Sequence, residues 1–402
     1  MLLILKLTKF LNKNCEMNEI LILKNSKVAR RINAGHPWVF SNELVELPDL
    51  ESGSIVKIVD RSNFNYGLGF YNKNSLIAVR LLFANEVNYQ FIKSRIHSAF
   101  ALREKIIDNF NFCRIVFGES DYMPGLVIDR YGEYFVFEIF STGFEKIKEL
   151  VIKAILELTP NTKGILQKNS SIWRKREGLS QNDEILFGEI PDKMLIEENG
   201  IKYEVNIIEG QKTGYFYDQR LNRLFVQKIA RNSRVLDLFC NQGGFALNAA
   251  KAGAKTIVGV DVQSNAIDRA KKNVVINNFK NIDFIESDCF DFLKNNTEKF
   301  NIVISDPPAF TKSKKNIPEA VRAYHRINKL AIRNLENGGI LLSSSCSHHI
   351  FEDKFYEIIQ RVAIETNRKL RLIYRGLQSP DHPILDALPE TKYLKFFGFI
   401  VD

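Results

Sequence analysis

Between residues 234 and 345 the chain carries five short apolar runs, VLDLF, TIVGVDV, IDFIESD, NIVISDP and GILLSSS, each followed by a stretch with helical spacing. This alternation leaves few folds open. Unbroken apolar strands are buried on both faces, and each intervening helix carries the chain back to start a parallel neighbour. The pattern predicts an α/β fold with a mostly parallel, doubly wound sheet. The chain closes on LRLIYRGLQ and YLKFFGFIV, which predict an antiparallel hairpin at the sheet edge.

The N-terminal half has a different texture. From 18 to 90, ILILKNS, SIVKIVDRS, YGLGFYN and LIAVRLL are short strands separated by Gly, Asn and Ser, with a basic helix in KVARRINAGHPWVF. From 91 to 195 the chain reads as a middle α+β domain: a helix in FIKSRIHSAFALREKI, two strands about the Tyr-Gly turn of GLVIDRYGEYFVFEIFS, one amphipathic helix over FEKIKELVIKAILELT and a strand in GILQKN. At 402 residues, 45 % hydrophobic and 26 % charged, the chain has length and composition for several globular domains. Its opening, MLLILKLTKF, is too short to span a bilayer and is interrupted by Lys6 and Lys9, so no membrane association is expected. Residues 1–17 read as an extension, with Met17 a second candidate start. Five cysteines without a CxxC pair argue against a disulfide framework or a structural zinc site, and point to a reducing, cytoplasmic setting.

Ligands of doubly wound sheets bind beyond the carboxyl ends of the strands, where the strand order switches direction. The residues closing each run therefore carry the functional reading. Asp237 closes the first, Gly243 and Gly244 permit a close approach of backbone to ligand, and Asp261, about two dozen residues on, is placed for the hydroxyls of a ribose. Asp288 closes the third run, placed for an adenine amino group. These describe an adenosine-bearing cofactor. The loop CNQGG lacks the GxGxxG phosphate fingerprint, and Asp237 would set negative charge against a pyrophosphate. A cationic sulfonium meets no such conflict, so S-adenosylmethionine is the predicted cofactor. Phe239, Val262 and Cys289 flank these carboxylates and join the candidate cofactor contacts, although Cys289, like Cys240, also reads as a small packing residue.

The fourth run closes as Asp306-Pro307-Pro308-Ala309-Phe310. Two prolines fix a rigid exit, where the carboxylate and prolyl carbonyls are placed to accept from the exocyclic amine of a base and Phe310 to stack on it; Asp306 is also expected as a cofactor contact and as a catalytic proton donor to N3 of the base. The fifth run closes as SSSCSHH, and if strands four and five pair, Cys346 and Asp306 share one crevice. The Cys346, His348, His349 spacing is too tight for structural zinc, so no metal is expected. One histidine is expected to cap the next helix and the other to pack. A net charge of +9 suggests an anionic partner, for which Lys27, Arg30 and Arg31, near His36 and Trp38, form one candidate RNA-facing patch and Arg174, in WRKR, a second. Trp38 itself reads as a core residue.

GHPWVFSNEL, GESDYMPGLVIDRYG, GQKTGYFYDQRLNR, DLFCNQGGFAL, VGVDVQ, SDPPAF, SSSCSHH and DHPILDALPETKYLK, taken in order, resemble bacterial class I methyltransferases of 23S ribosomal RNA that carry a PUA domain, of the large subunit methyltransferase I type. The resemblance covers nearly the whole chain from about residue 20. It implies a PUA-like RNA-binding domain over 18–90, the middle domain over 91–195 and a Rossmann-like methyltransferase domain over 196–402. It also implies cytosine C5 methylation in 23S rRNA or an assembling large ribosomal subunit, with Cys346 as nucleophile. By the same resemblance Lys212, Thr213, Tyr215 and Phe216 close over the methionine part of the cofactor, and Asp237, Asn241, Gly243, Gly244, Asp261 and Asp288 hold the rest. Ala309 departs from the lysine often found after the two prolines, which bears on the base contacts. The β-rich N-terminal region leaves room for a homodimer. Two other readings stand beside this one: methylation of a guanine or adenine nitrogen, which needs no thiol, and a non-catalytic ribosome-assembly factor.

Overall fold

The computed structural model describes residues 17–210, 212–311 and 313–402; the N-terminal extension, Met17 apart, lies outside them, as does Cys15. The chain divides into two compact units, one of residues 1–194, 205–215 and 380–391, the other of 195–204, 216–379 and 392–402.

The first unit holds two five-stranded sheets. β1 (Met17–Ile22), β2 (Trp38–Phe40), β3 (Ile55–Val59), β4 (Asn65–Tyr71) and β5 (Ile77–Ala84) form one, in the order β1-β3-β4-β5-β2. Helix α1 (Ser26–Asn33) starts where the Asn25 side chain accepts from the amides of Lys27 and Val28. It buries Val28, Ala29 and Ile32, which leaves Lys27 and Arg30 exposed. After α2 (Tyr89–Ile106), β6 (Phe112–Phe117), β7 (Leu126–Tyr131), β8 (Tyr134–Ile139), β9 (Gly164–Gln167) and β10 (Glu184–Gly188) form the second sheet, in the order β10-β9-β8-β7-β6. The single helix expected over FEKIKELVIKAILELT is two, α3 (Thr142–Lys146) and α4 (Lys148–Leu158), because Ile147 buries its side chain at φ −111°, ψ 15° and leaves the helical conformation. A short helix, α5 (Ile172–Arg176), precedes β10. The two sheets share one core, in which Ile55, Leu68 and Phe70 join Phe135, Phe137 and Phe144. Residues 380–391, expected within the C-terminal domain, group with this unit, where the Asp381 carboxylate accepts from the Arg114 amide at 3.1 Å.

β11 (Met194–Glu198) and β12 (Ile201–Val205) pair with each other, and the remaining elements form the second unit. These are α6 (Arg220–Ile229), β13 (Arg234–Leu238), α7 (Gly244–Lys251), β14 (Thr256–Asp261), α8 (Ser264–Ile276), β15 (Ile282–Glu286), α9 (Cys289–Asn295), β16 (Phe300–Ser305), α10 (Ile317–Arg333), β17 (Leu335–Ser345), α11 (Glu352–Glu365), β18 (Leu370–Gly376) and β19 (Lys395–Val401). Their seven-stranded sheet runs β15-β14-β13-β16-β17-β19-β18, with β19 antiparallel to both neighbours. Period-two alternation sends consecutive residues to opposite faces. Leu236, Val303, Leu341 and Phe397 join the core under α9, α10 and α11, whereas Val235, Ile302, Leu342 and Phe396 join the core under α6, α7 and α8. The predicted doubly wound sheet and edge hairpin are both present. From β13 the chain builds outward through β14 and β15, then crosses to β16 on the other side, so the switch point lies between β13 and β16.

Candidate functional site

At the switch point, three carboxylates are held by backbone amides. Asp237 is fully buried; its Oδ2 accepts from the Ala246 amide at 2.9 Å, in the first turn of α7, and its Oδ1 has no partner. Burial pushes this carboxyl up to about 8, and the nearby carboxylates of Asp306 and Asp261 add to the shift. Asp261 ends β14 and accepts from the amides of Asn241 and Gln263, both at 2.9 Å. Asp288 is exposed and caps α9, accepting from the amides of Phe290 and Asp291.

The loop between β13 and α7 enters the left-handed region at Phe239 (φ 59°), Asn241 (φ 48°) and Gly243 (φ 83°). A bulky residue such as Phe239 is rarely found there, and such strain concentrates at functional loops. A Cβ at Gly243 would meet the Phe284 ring at 2.8 Å, and one at Gly244 the Arg223 guanidinium at 2.7 Å. The two glycines are thus required by packing within the protein itself, beyond any approach of a ligand. Val262 is exposed just past Asp261, whereas Cys289 is buried, accepting from the Phe239 amide at 3.3 Å. Burial pushes the Cys289 thiol up to about 12, and that of Cys240 well above its ordinary value. Both are packing residues.

Beyond β16 and β17 the support comes from side chains. Register pairs Ser305 with Ser343, so Asp306 and Cys346 leave adjacent parallel strands at the same end. Gln219 donates from Nε2 to Asp306 Oδ1 at 2.9 Å and to Ser344 Oγ at 3.2 Å, and is itself held by Asn222, which donates to Gln219 Oε1 at 2.6 Å. Burial raises the Asp306 carboxyl to about 6 despite these donors. Pro307 is buried and Pro308 exposed. Cys346 is half-buried, whereas the other described cysteines, Cys113, Cys240 and Cys289, are buried. The serines flanking it are tied to Tyr324 of α10: Ser345 Oγ donates to its hydroxyl at 2.9 Å and Ser347 Oγ bonds it at 2.8 Å.

Several expected site residues have other duties. Phe310 is packed edge-on against Tyr324, with ring centroids 4.7 Å apart, and also contacts Phe239 and Phe290, so its ring serves the core before any base. Arg174 is 1 % exposed and bonded to Glu145 and the carbonyls of Ile139 and Ser180; it is a structural cation, not a surface RNA contact. Arg31 is tied to Glu43 at 2.5 Å, which leaves Lys27 and Arg30 as the exposed cations of α1. Neither histidine caps α11, whose N-cap is Phe351 without a side-chain bond; His348 stands 5.7 Å from the Tyr393 ring. Lys212, Thr213 and Tyr215 belong to the first unit, with Thr213 buried and its hydroxyl donating to Asp129, while Phe216 opens a segment of the second. Gln219, Tyr324 and Lys395 are not among the expected site residues, although Gln219 lies within GQKTGYFYDQRLNR and Lys395 ends DHPILDALPETKYLK, either of which could have pointed to them.

An adenosine cofactor with a sulfonium fits these residues. The unpartnered Oδ1 of Asp237 is a buried acceptor awaiting a cationic or donor group, and lone pairs remain on Asp261 and Asp288. Clustered carboxylates at this strand end disfavour a phosphate and favour a cation.

Comparison with known proteins agrees with this arrangement. Residues 158–397 match the family described as S-adenosylmethionine-dependent methyltransferase, and residues 21–83 match a PUA-like domain. A protein of Aliivibrio fischeri called ribosomal RNA large subunit methyltransferase I is 38 % identical over 375 residues, spanning 90 % of this chain and 94 % of its own. One of the same description from Photobacterium profundum is 37 % identical, with 91 % and 95 % covered. Among solved structures, a protein of Streptococcus mutans described as a SAM-dependent methyltransferase superposes with a TM-score of 0.81 at 22 % identity, over 95 % of this chain and all of that one. A methyltransferase complexed with SAH gives 0.82 at 21 % identity, over 96 % of this chain and all of that one. At such identities these two establish the shared fold. The chain belongs to the S-adenosylmethionine-dependent methyltransferases with an N-terminal PUA-like domain, in the family of the ribosomal RNA large subunit methyltransferases I.

Proposed function

We propose that this protein methylates C5 of a cytosine in 23S ribosomal RNA, with Cys346 forming a transient covalent bond to C6 of the base. The RNA class comes from what the relatives are called. The observation that carries the chemistry is the half-buried thiol at the end of β17, beside the Asp306-Pro307-Pro308 exit of β16.

Cytosine C5 is a poor nucleophile. Addition of the Cys346 thiolate to C6 makes C5 enamine-like, and loss of the C5 proton to solvent after methylation lets the sulfur–C6 bond break. Bound S-adenosylmethionine supplies the electrophilic methyl group. Asp237, Asp261 and Asp288 hold it, with Phe239, Asn241, Val262 and Phe216 alongside. Asp306, with its carboxyl raised to about 6, is able to exchange a proton with N3 of the base as the thiolate adds. Pro307 and Pro308 fix the approach of the exocyclic amine. Lys27 and Arg30 contribute phosphate contacts that add affinity without reading sequence.

The test uses unmodified 23S rRNA and mass mapping of the methylated nucleotide. Cys346→Ala and Cys346→Ser are expected to lose methyl transfer by more than about a thousandfold while still binding S-adenosylmethionine. RNA carrying 5-fluorocytosine, whose C5 substituent cannot leave as a proton, is expected to trap a denaturation-stable adduct on Cys346. Retained turnover in Cys346→Ala would sink covalent chemistry and favour methylation of a purine nitrogen.

A further inference from the structure

Lys395 is the first residue of β19 and 3 % exposed. In the antiparallel register it stands opposite Ser345. Its Nζ donates to the carbonyl of Ser347 at 2.7 Å and to that of Tyr393 at 2.8 Å. Both chain neighbours of Cys346 are therefore in contact with this one lysine. A buried ammonium is ordinarily matched by a carboxylate, because two neutral carbonyls compensate little of the lost hydration of a charge. Among the described residues Lys395 makes no ion pair.

We propose that Lys395 is the positioning residue for Cys346, its buried ammonium serving as the counter-charge that holds the thiol as a thiolate. The proposal deepens the covalent reading above and rests on it for its catalytic meaning. The charged groups that face Lys395 do not supply its counter-charge. Glu352 faces Lys395 but is engaged by Arg375 and Lys392, each at 2.5 Å, and Lys392 repels the ammonium. Tyr324 faces Cys346, but burial pushes its hydroxyl up to about 12, so it stays neutral. His348 lies over the Tyr393 ring, whose hydroxyl donates to Asp218 at 2.6 Å. Burial lowers Lys395 to about 8, and charge on Cys346 draws it back up. The ammonium is thus present below about 8 and lost above it, the pH range in which a supported thiolate differs most from an ordinary thiol.

The experiment is the pH profile of Cys346 alkylation by iodoacetamide, followed by peptide mass mapping of the intact protein without RNA or cofactor. In the wild type, half-maximal reactivity is expected below the ~8.5 of an ordinary thiol. Lys395→Met is expected to slow the reaction at pH 7 by about tenfold, the equivalent of one unit of thiol pKa. A wild-type midpoint at or above the ordinary value overturns the pair even if Lys395→Met fails to fold, and so does an unchanged profile in a folded variant. Methyl transfer by Cys346→Ala tests the nucleophile separately: its persistence would sink the covalent reading whatever the alkylation profile shows.

Discussion

The two sides of the switch point in the C-terminal sheet are built on different principles. On the β13 and β14 side, each carboxylate is oriented by backbone amides, most of them close in sequence: Ala246 for Asp237, Gln263 and the more distant Asn241 for Asp261, Phe290 and Asp291 for Asp288. On the β16 and β17 side, the holders are side chains from far along the chain. Gln219 is 87 residues from Asp306 and 125 from Ser344, and Lys395 is 48 from Ser347, whose carbonyl it bonds. Short of proline, no substitution removes a backbone amide, so the first side responds mainly to changes of the carboxylate itself. The second side can be weakened gradually, one supporting residue at a time.

Apart from loss of the Cys346 nucleophile itself, the largest effect is expected at Asp237. Asp237→Asn keeps the shape and removes the charge, and is expected to weaken S-adenosylmethionine binding by roughly a hundredfold, since charged hydrogen bonds contribute about 1.5–3 kcal/mol. Calorimetry on the free protein measures this. The same residue makes affinity depend on pH: the carboxyl sits near 8 in the free protein, so wild-type affinity should rise from pH 6 to 8.5 and stay flat in the variant. Stability runs the opposite way. A carboxyl whose folded value lies above its unfolded one supports the fold at low pH, and that support is lost as pH rises from about 4 through about 8. Free Asp237→Asn should therefore melt close to the wild type at pH 5 and above it at pH 8.5. An equal melting difference at both pH values would mean that Asp237 is not held in its neutral form.

The same contrast explains what could be read from sequence. Asp237, Asp261, Asp306 and Cys346 each close an apolar run, and strand ends are visible as the points where an apolar pattern stops. Turns and caps are local too, so the cofactor-side carboxylates were legible with their helices. Gln219, Tyr324 and Lys395 were not: the first and last lie inside motif stretches, but no local pattern shows that their side chains reach the ends of β16 and β17. Lys395 opens an apolar strand, and Tyr324 sits on the buried stripe of an amphipathic helix, where a tyrosine reads as core. Arg174 shows the converse error: WRKR has the composition of a basic patch, but Arg174 points inward to Glu145. Lys212, Thr213 and Tyr215 lie in the same motif as Phe216, yet the boundary between compact units falls between Tyr215 and Phe216. Compactness depends on contacts across the chain and leaves no local signature.

An intermediate effect is expected on the base side. Gln219→Ala removes a donor from Asp306 while leaving the cofactor-side amides untouched. Methyl transfer should fall about tenfold, in line with a net ~1–1.5 kcal/mol for one buried hydrogen bond. Losing a donor to the carboxylate raises the Asp306 pKa further above its present value of about 6, so the corresponding limb of the pH–rate profile should move to higher pH. S-adenosylmethionine affinity should change less than about twofold. A large loss of cofactor binding would show that the two sides are one coupled network, not two independent ones.

The smallest effect is expected for Tyr324→Phe, which separates position from chemistry. The ring stays in its edge-on contacts with Phe310 at 4.7 Å and Phe355 at 5.2 Å, so no cavity opens. Only the hydroxyl is lost, and with it the bridge it makes between the Ser345 and Ser347 hydroxyls, while the Ser347 amide still donates to Ser345 Oγ at 3.3 Å. The buried serines then miss one partner each, at a cost of about 1–2 kcal/mol to stability, measurable by denaturant unfolding. Ser347 keeps its backbone bond to Lys395, so the thiol loses one of two restraints and methyl transfer should drop only severalfold. A drop as deep as that of Cys346→Ala would mean that the hydroxyl itself takes part in the chemistry, and the base side would then depend on Tyr324 as directly as the cofactor side depends on Asp237.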